Sequence, residues 1–122
     1  MKLKLLTKRQ NQVMSILWNS KEPLSASQIH QADENLNMNT VQQVLRVLLN
    51  MKYIKVADIG YSSTSLTRLY APTVSQADYI QFLLGDKSRF EVTAYLINSN
   101  TNLNELNELK KLIDRKKKEL EK

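Results

Sequence analysis

Residues 37–51 constrain the fold of this chain more than any other segment, because they acquire two unlike faces when wound into a helix. At about 100° per residue, the apolar side chains fall on one stripe, formed by Val41, Val44, Leu45 and Leu48. The opposite face carries amides and one guanidinium but no acid, in the residues Asn39, Gln42, Gln43, Arg46 and Asn50. A solvated helix face usually mixes Glu with Lys, whereas Asn, Gln and Arg bond the edges of bases. The segment therefore predicts a helix that buries one face and presents the other to a polar partner.

Capping signals place two shorter helices before this segment. Thr7 is positioned as the N-cap of the first helix. Ser25 caps the second, and Gln28 three residues later gives the spacing of a capping box. The third helix is predicted to start at Asn39 or Thr40. The side chains expected to turn inward on the first two helices are Val13, Ile16, Leu17, Ala26, Ile29 and Ala32.

A β-hairpin is predicted directly after the third helix. Residues 53–59 and 66–71 are rich in β-formers, and the turn chemistry of residues 60–65 separates them. Leu24 is predicted to form a very short strand. Three helices followed by a hairpin is the order of a winged helix-turn-helix, in which the third helix enters the major groove of DNA. The fold class predicted is mainly α with a small β-hairpin: a winged-helix DNA-binding domain over residues 1–73 and a helical dimerisation region over 74–122.

The charge of the chain is uneven. The net charge of the 122 residues is +6. Residues 1–72 hold nine basic and four acidic residues, whereas residues 73–122 hold nine and eight. A basic half favours an anionic partner, but charge alone does not separate DNA, RNA and an acidic membrane. The absence of cysteine excludes disulfides and thiolate metal sites, and with no signal peptide or bilayer-spanning run we expect a cytoplasmic protein without a membrane partner.

The predicted DNA contacts follow from the third helix and its neighbours. Amides of Asn and Gln suit adenine N6 and N7, and Arg suits guanine or a phosphate. The predicted recognition residues are Asn39, Thr40, Gln42, Gln43, Arg46 and Asn50. The predicted contacts to the DNA backbone are Ser25, Ser27, Gln28, Lys52 and Lys55. The predicted wing residues are Tyr61, Ser62, Ser63, Thr64 and Arg68. A capping role for Thr40 and a simple solvated surface for the two lysines remain alternatives.

A second group of residues concerns assembly. Leu106, Ile113 and Leu120 are spaced by seven, and Leu109 lies between the first two, which fits a short heptad seam. Lys116 occupies the next seam position, so a long coiled coil is not expected. With Leu83, these leucines and isoleucine predict a homodimer that reads a palindrome with two recognition helices. The alternative is that the last helix packs on its own domain.

Catalytic chemistry is not expected. His30 is the only histidine, and the sequence offers no nucleophile–base pair, no glycine-rich phosphate loop and no metal-ligand spacing. We therefore expect no enzyme activity, no cofactor and no metal.

Several segments resemble the penicillinase repressor (BlaI/MecI/CopY) family. "LTKRQNQVMSILW" (6–18) is similar to the family's opening, Leu-Thr-x-x-Glu-x-x-Val-Met-x-x-Leu-Trp. Residues 24–29 resemble the start of its second helix and residues 39–54 its recognition helix. Residues 68–80 resemble its passage from wing to fourth helix, and 103–114 its terminal helix. The resemblance implies a dimeric winged-helix repressor of transcription that binds a palindromic operator.

The chain departs from the family pattern at particular positions. Gln43 stands where the family often has Thr, and Val47 where it often has Arg, so the operator could differ from the usual one. The Asn-Phe pair at which the family is cleaved has no match, which leaves a sensor protease as an unknown partner. The copper-responsive branch carries a cysteine cluster that this chain lacks. A winged-helix protein-interaction module, or an architectural DNA binder without sequence preference, is the alternative function.

Overall fold

The computed structural model describes residues 2–62, 65–99 and 102–122, which form two compact units, Met1–Leu83 and Leu84–Lys122. The elements in chain order are α1 (Lys8–Trp18), α2 (Ala26–Ala32), α3 (Met38–Asn50), β1 (Ile54–Ser62), β2 (Ser65–Pro72), α4 (Gln76–Asn98) and α5 (Leu103–Leu120). The first unit is a winged helix: three helices followed by an antiparallel hairpin. The predicted fold class, mainly α with a small hairpin, is confirmed.

The helix starts are set by side-chain caps. Thr7 is the N-cap of α1 as predicted, and it forms a capping box with Gln10 that was not predicted; Ser25 forms the predicted box with Gln28. At α3 the prediction of a start at Asn39 or Thr40 was wrong. Asn37 is the N-cap, and its Oδ1 accepts from the Thr40 backbone N–H at 2.7 Å. Capping by Thr40 itself is therefore also wrong, because the amide of Asn37 already satisfies the first turn.

The core of the first unit is built around the apolar stripe of α3. The buried hydrophobic residues are Val13, Met14, Leu17, Ala26, Ile29, Leu36, Val41, Val44, Leu45, Leu48, Tyr53, Ile54, Tyr70, Val74 and Tyr79. Ile16 is half-buried and packs against this core. Ala32 is exposed, contrary to the prediction, because it is the last residue of α2 and lies beyond the core.

The end of α3 directs Tyr53 into the core. The Lys52 N–H donates to the Leu49 carbonyl and the Tyr53 N–H donates to the Leu48 carbonyl, both at 3.0 Å, which is the pattern of a Schellman motif. Lys52 takes the left-handed conformation that this motif needs, with φ 64°. The Tyr53 hydroxyl then accepts from the Lys4 N–H at 2.7 Å and donates to the Lys4 carbonyl. The chain before α1 is thereby held against the core.

The turn between α2 and α3 is closed by a histidine. His30 Nδ1 donates to the Leu36 carbonyl at 2.6 Å, since a carbonyl can only accept. The Leu36 N–H donates to the Asp33 carbonyl at 3.1 Å, and the Leu36 side chain is buried. His30 therefore has a structural role at the helix-turn-helix junction.

The hairpin is longer than predicted. Gly60 pairs with Thr67, and Ser62 pairs with Ser65, so residues assigned to the turn belong to the strands. A Cβ at Gly60 would lie 3.2 Å from Leu69 Cδ1, so a glycine at this strand position leaves room for the Leu69 side chain. Leu24 forms the predicted short bridge, and it pairs with Tyr70 of β2.

The first unit continues into α4. Tyr79 is buried, its hydroxyl accepts from the Leu6 N–H at 2.8 Å, and its ring lies 5.8 Å from that of Trp18 and 6.3 Å from that of Tyr53. The helical path of α4 is interrupted at Gly85, with φ 68° and ψ 178°. The compact units divide at residues 83 and 84, whereas the functional division at 73 and 74 stays a prediction.

The second unit contains the remainder of α4 and α5. Asn102 caps α5, where its Oδ1 accepts from the Glu105 N–H at 2.8 Å. No residue of α5 is buried. Within the described ranges, no helix is both long enough and apolar enough to cross a bilayer.

Candidate nucleic-acid interface

The polar face of α3 is a solvent-facing surface. The side chains predicted for base contacts are exposed, namely Asn39, Gln42, Gln43, Arg46 and Asn50. Thr40 is half-buried at the edge of this face. The tight packing of Val41, Leu45 and Leu48 on the other side fixes the rotation of the helix. The face therefore presents donors and acceptors at fixed positions along a rigid element.

A cation and an exposed apolar side chain add to the chemistry of this face. Among the described residues, Arg46 takes part in no ion pair, so its five donors face solvent. Val47 is 42% exposed. Prediction of this surface from polarity missed Val47, although its place between Arg46 and Leu48 on the helical wheel was a usable signal. The surface thus combines amides, one cation and one β-branched apolar side chain.

The start of α2 divides the predicted backbone contacts into two groups. Ser25 is only 5% exposed. Its Oγ accepts from the Gln28 N–H at 3.2 Å, and Gln28 Oε1 accepts from the Ser25 N–H at 2.8 Å. The Ser25 side chain is therefore committed to the cap and is not presented for a phosphate. Ser27 is half-buried and Gln28 is exposed.

A cleft of about 330 Å³ lies between the start of α2 and the hairpin. It brings Ser27 and Gln28 next to Tyr61, and with Ser25 three of the predicted backbone contacts and one predicted wing residue line the same cleft. Glu22 also lines the cleft and is the acid in its wall. The remaining lining residues are Pro23, Gln31, Gly60, Thr67 and Leu69.

The hairpin carries an apolar face with one cation. Ile59 pairs with Arg68 and Tyr61 pairs with Leu66, so these four side chains share one face of the two-stranded sheet. All four are exposed, and Tyr61 is 78% exposed. The side chain of Ser62, and the whole of Ser63 and Thr64, lie outside the described residues.

Lys52 and Lys55 flank the junction between α3 and β1, and both side chains are exposed. The backbone of Lys52 is fixed by its place in the Schellman motif and by the Thr73 hydroxyl, which donates to its carbonyl. Both lysines are therefore accessible to an anionic partner.

The predicted dimerisation residues are exposed apolar side chains. Leu83, Leu106, Ile113 and Leu120 are exposed and Leu109 is half-buried. Lys116, at the next seam position, points to solvent and pairs with Glu119 at 3.6 Å. The α5 surface therefore carries an uncovered apolar stripe with one cation in it.

The chain is similar to a known protein family and, over parts of its length, to solved structures. The model of the penicillinase repressor family matches residues 6–115. None of the curated proteins matches the chain. Among solved structures, the peroxide-sensing gene regulator PerR from Streptococcus pyogenes shares 24% identity over 56% of this chain and 47% of its own, with a TM-score of 0.43.

Two further solved structures are similar to parts of the chain. The ferric uptake regulator Fur from Helicobacter pylori shares 26% identity over 57% of this chain and 47% of its own, with a TM-score of 0.42. The adhesin competence repressor AdcR from Streptococcus pyogenes shares 16% identity over 96% of this chain and 82% of its own, with a TM-score of 0.44. The chain spans about half the length, 47%, of the PerR and Fur chains.

Proposed function

We propose that this chain, which belongs to the penicillinase repressor family, represses transcription by binding a palindromic operator as a homodimer. The family and the winged-helix fold are those of transcriptional regulators rather than enzymes. The proposal concerns the finer points: which residues read the DNA, how the chain assembles, and what the operator looks like.

The observation that carries the proposal is the acid-free polar face of α3. Gln42 and Gln43 each offer a donor and an acceptor, the pair that adenine N7 and N6 require in the major groove. Arg46 offers the parallel donors that guanine O6 and N7 accept. Val47 adds an apolar group of the kind that contacts the thymine methyl. In this assignment α3 supplies the sequence preference.

Contacts to phosphates would position α3. Ser27, Gln28, Lys52, Lys55 and Arg68 are the exposed or half-buried polar side chains available for them. Ser25 is left out, because its hydroxyl is buried in the cap. Binding that depends on such contacts falls steeply as salt rises, because each neutralised phosphate releases counterions.

The palindrome follows from the proposed dimer. The exposed stripe of Leu106, Ile113 and Leu120, with half-buried Leu109, is the kind of surface that a second copy covers with its own stripe. A two-fold dimer presents two copies of α3 to half-sites about one turn of DNA apart, or a multiple of one turn. Leu83 is included as an exposed apolar residue outside α5.

Selection of random duplex DNA at two salt concentrations tests the proposal. We expect an enriched palindrome with the wild-type chain and loss of enrichment with Gln42→Ala/Gln43→Ala. The matched control is Gln81→Ala, an exposed glutamine of α4, which should select the same palindrome as the wild-type chain.

Other outcomes would replace the proposal with a defined alternative. An enriched sequence without two-fold symmetry would contradict the dimeric operator. Salt-sensitive binding without enrichment would indicate an architectural DNA binder, and no binding at either salt would indicate a protein-interaction module.

A further inference from the structure

A basic stripe runs along α5 on the side away from its apolar stripe. At about 100° per residue, Lys111, Arg115 and Lys118 fall within about 60° of one another. Their mean direction is about 175° from that of the seam residues Ile113 and Leu120. All three basic side chains are exposed. A partner that covers the apolar stripe would therefore leave the basic stripe facing outward.

The positive charge of this stripe is only partly balanced within α5. Residues 110–118 contain six Lys or Arg and a single acid, Asp114. Glu108 pairs with Lys111 at 3.4 Å, with both side chains 72% exposed, so the pair is weak and easily exchanged. Among the described residues, Arg115 and Lys118 take part in no ion pair.

The helix dipole accounts for only part of the pattern. Lysines in the last turn of a helix are favourable beside its carbonyl end, and this applies to Lys118. The effect fades within one turn, so it does not account for Lys111 and Arg115, which lie further from the end. The stripe is therefore better matched by an anionic partner than by the needs of the helix itself.

We propose that Lys111, Arg115 and Lys118 bind the phosphate backbone of duplex DNA flanking the operator. This inference rests on the function proposed above, which brings the chain to DNA. Successive cations of the stripe are about one helical turn, 5.4 Å, apart. Each DNA strand carries one charge per about 3.4 Å of axis, so phosphates are spaced closely enough to pair with these cations without a sequence requirement.

The arrangement of faces favours DNA over an anionic membrane. A helix lying on a membrane turns its apolar face to the lipid, and its lysines flank that face to reach the headgroups. Lys110, Lys116 and Lys117 flank the apolar stripe, but Lys111, Arg115 and Lys118 lie opposite it and would face away from any plane that the apolar stripe enters. A partner that contacts the basic stripe alone needs charge and no apolar depth, which is what a phosphate backbone offers.

The test compares two full-length variants on two DNA lengths. Lys111→Gln/Arg115→Gln/Lys118→Gln removes the charge, and Lys111→Arg/Arg115→Lys/Lys118→Arg keeps it. Each is titrated with the selected operator alone and with the operator extended by about two helical turns, roughly 20 base pairs, on each side. Circular dichroism and sedimentation velocity confirm that fold and assembly are unchanged.

We expect the charge-removed variant to match the wild-type chain on the short operator within about twofold. On the extended duplex, its slope of log affinity against log salt should be shallower by about 0.9 for each phosphate that the variant no longer neutralises. The charge-retaining variant should keep the wild-type slope on both duplexes.

Equal slopes for the charge-removed variant and the wild-type chain on the extended duplex would overturn the inference while leaving the operator-binding function intact. Loss of operator binding by the wild-type chain itself would instead remove the proposed function, and the inference with it. A wild-type chain that pellets with phosphatidylserine vesicles, a charge-removed variant that does not, and unchanged DNA slopes would reassign the stripe to a membrane.

Discussion

The two compact units of this chain differ in how much apolar surface each covers by itself. In Met1–Leu83, the stripe of α3 is closed by α1, α2 and the aromatic side chains of Tyr53 and Tyr79. In Leu84–Lys122, α5 has an equally regular apolar stripe but no buried residue. The same periodic signal thus has two outcomes. The first unit buries the stripe of α3 within itself, whereas the stripe of α5 is exposed and available to a partner.

The largest expected effect comes from truncating a buried side chain in the core of the first unit. Leu48 is fully buried, so Leu48→Ala should lower the free energy of unfolding by about 2–5 kcal/mol, as removal of a packed leucine does. The single tryptophan, Trp18, lies in this unit, so its fluorescence in urea denaturation reports the loss.

The matched control is Leu112→Ala in α5, where the side chain is 52% exposed. Its effect should stay within about 0.5 kcal/mol in dilute protein, because an exposed leucine loses little on truncation. Equal losses for Leu48→Ala and Leu112→Ala would contradict the difference in burial between the two apolar stripes.

Much of this contrast could be predicted from sequence, since caps and periodicity are local signals. The Thr7 cap, the Ser25 capping box and the stripe of α3 were all correctly assigned. The misses involve distant contacts: Tyr79 gave no periodic sign that it would bond the Leu6 backbone and stack near Trp18. The start of α3 was missed for a local reason, because Asn37 and Asn39 are the same residue type and both are favourable N-caps.

The candidate site divides in the same way. The exposed face of α3 followed from its helical period alone. The burial of Ser25 could not be predicted in this way, because it depends on the position of α2 against the core. The longer strands of the hairpin were missed because Gly60 resembles a turn residue, whereas its lack of a side chain makes room for Leu69.

The second unit should lose its partner when its stripe is charged. Ile113→Asp places an unpaired carboxylate in the centre of the proposed seam, and we expect the dimer dissociation constant to rise at least about 30-fold, the effect of a hot-spot residue. Analytical ultracentrifugation measures it. Asn107→Asp, an exposed position of α5 away from the seam, is the control and should remain dimeric.

Unfolding of the first unit, followed by Trp18, should be unchanged in Ile113→Asp when compared with the wild-type chain at equal dilution. A dimer that persists in this variant would refute the seam.

Arg46, on α3 of the first unit, is expected to contribute directly to operator binding. Arg46→Ala should weaken operator binding by about 1–3 kcal/mol if its guanidinium makes a bidentate contact with guanine. Gel shifts on the selected operator measure this change. Arg89→Ala, an exposed arginine of α4 in the second unit, should bind with wild-type affinity. An Arg46→Ala variant with unchanged affinity would remove Arg46 from base recognition.

The smallest expected effect is a gain of stability at the end of α3. Lys52 occupies the left-handed position of the Schellman motif. A Cβ in this conformation crowds the neighbouring backbone, whereas glycine has no Cβ and adopts it without strain. Lys52→Gly should therefore raise the free energy of unfolding by a net amount of about 0.5–1 kcal/mol. This value already allows for the entropy that glycine adds to the unfolded chain. Lys52→Ala removes the same charge but keeps the Cβ, so it separates backbone strain from electrostatics. If the two variants unfold at the same urea concentration, strain at this position does not limit the stability of the first unit.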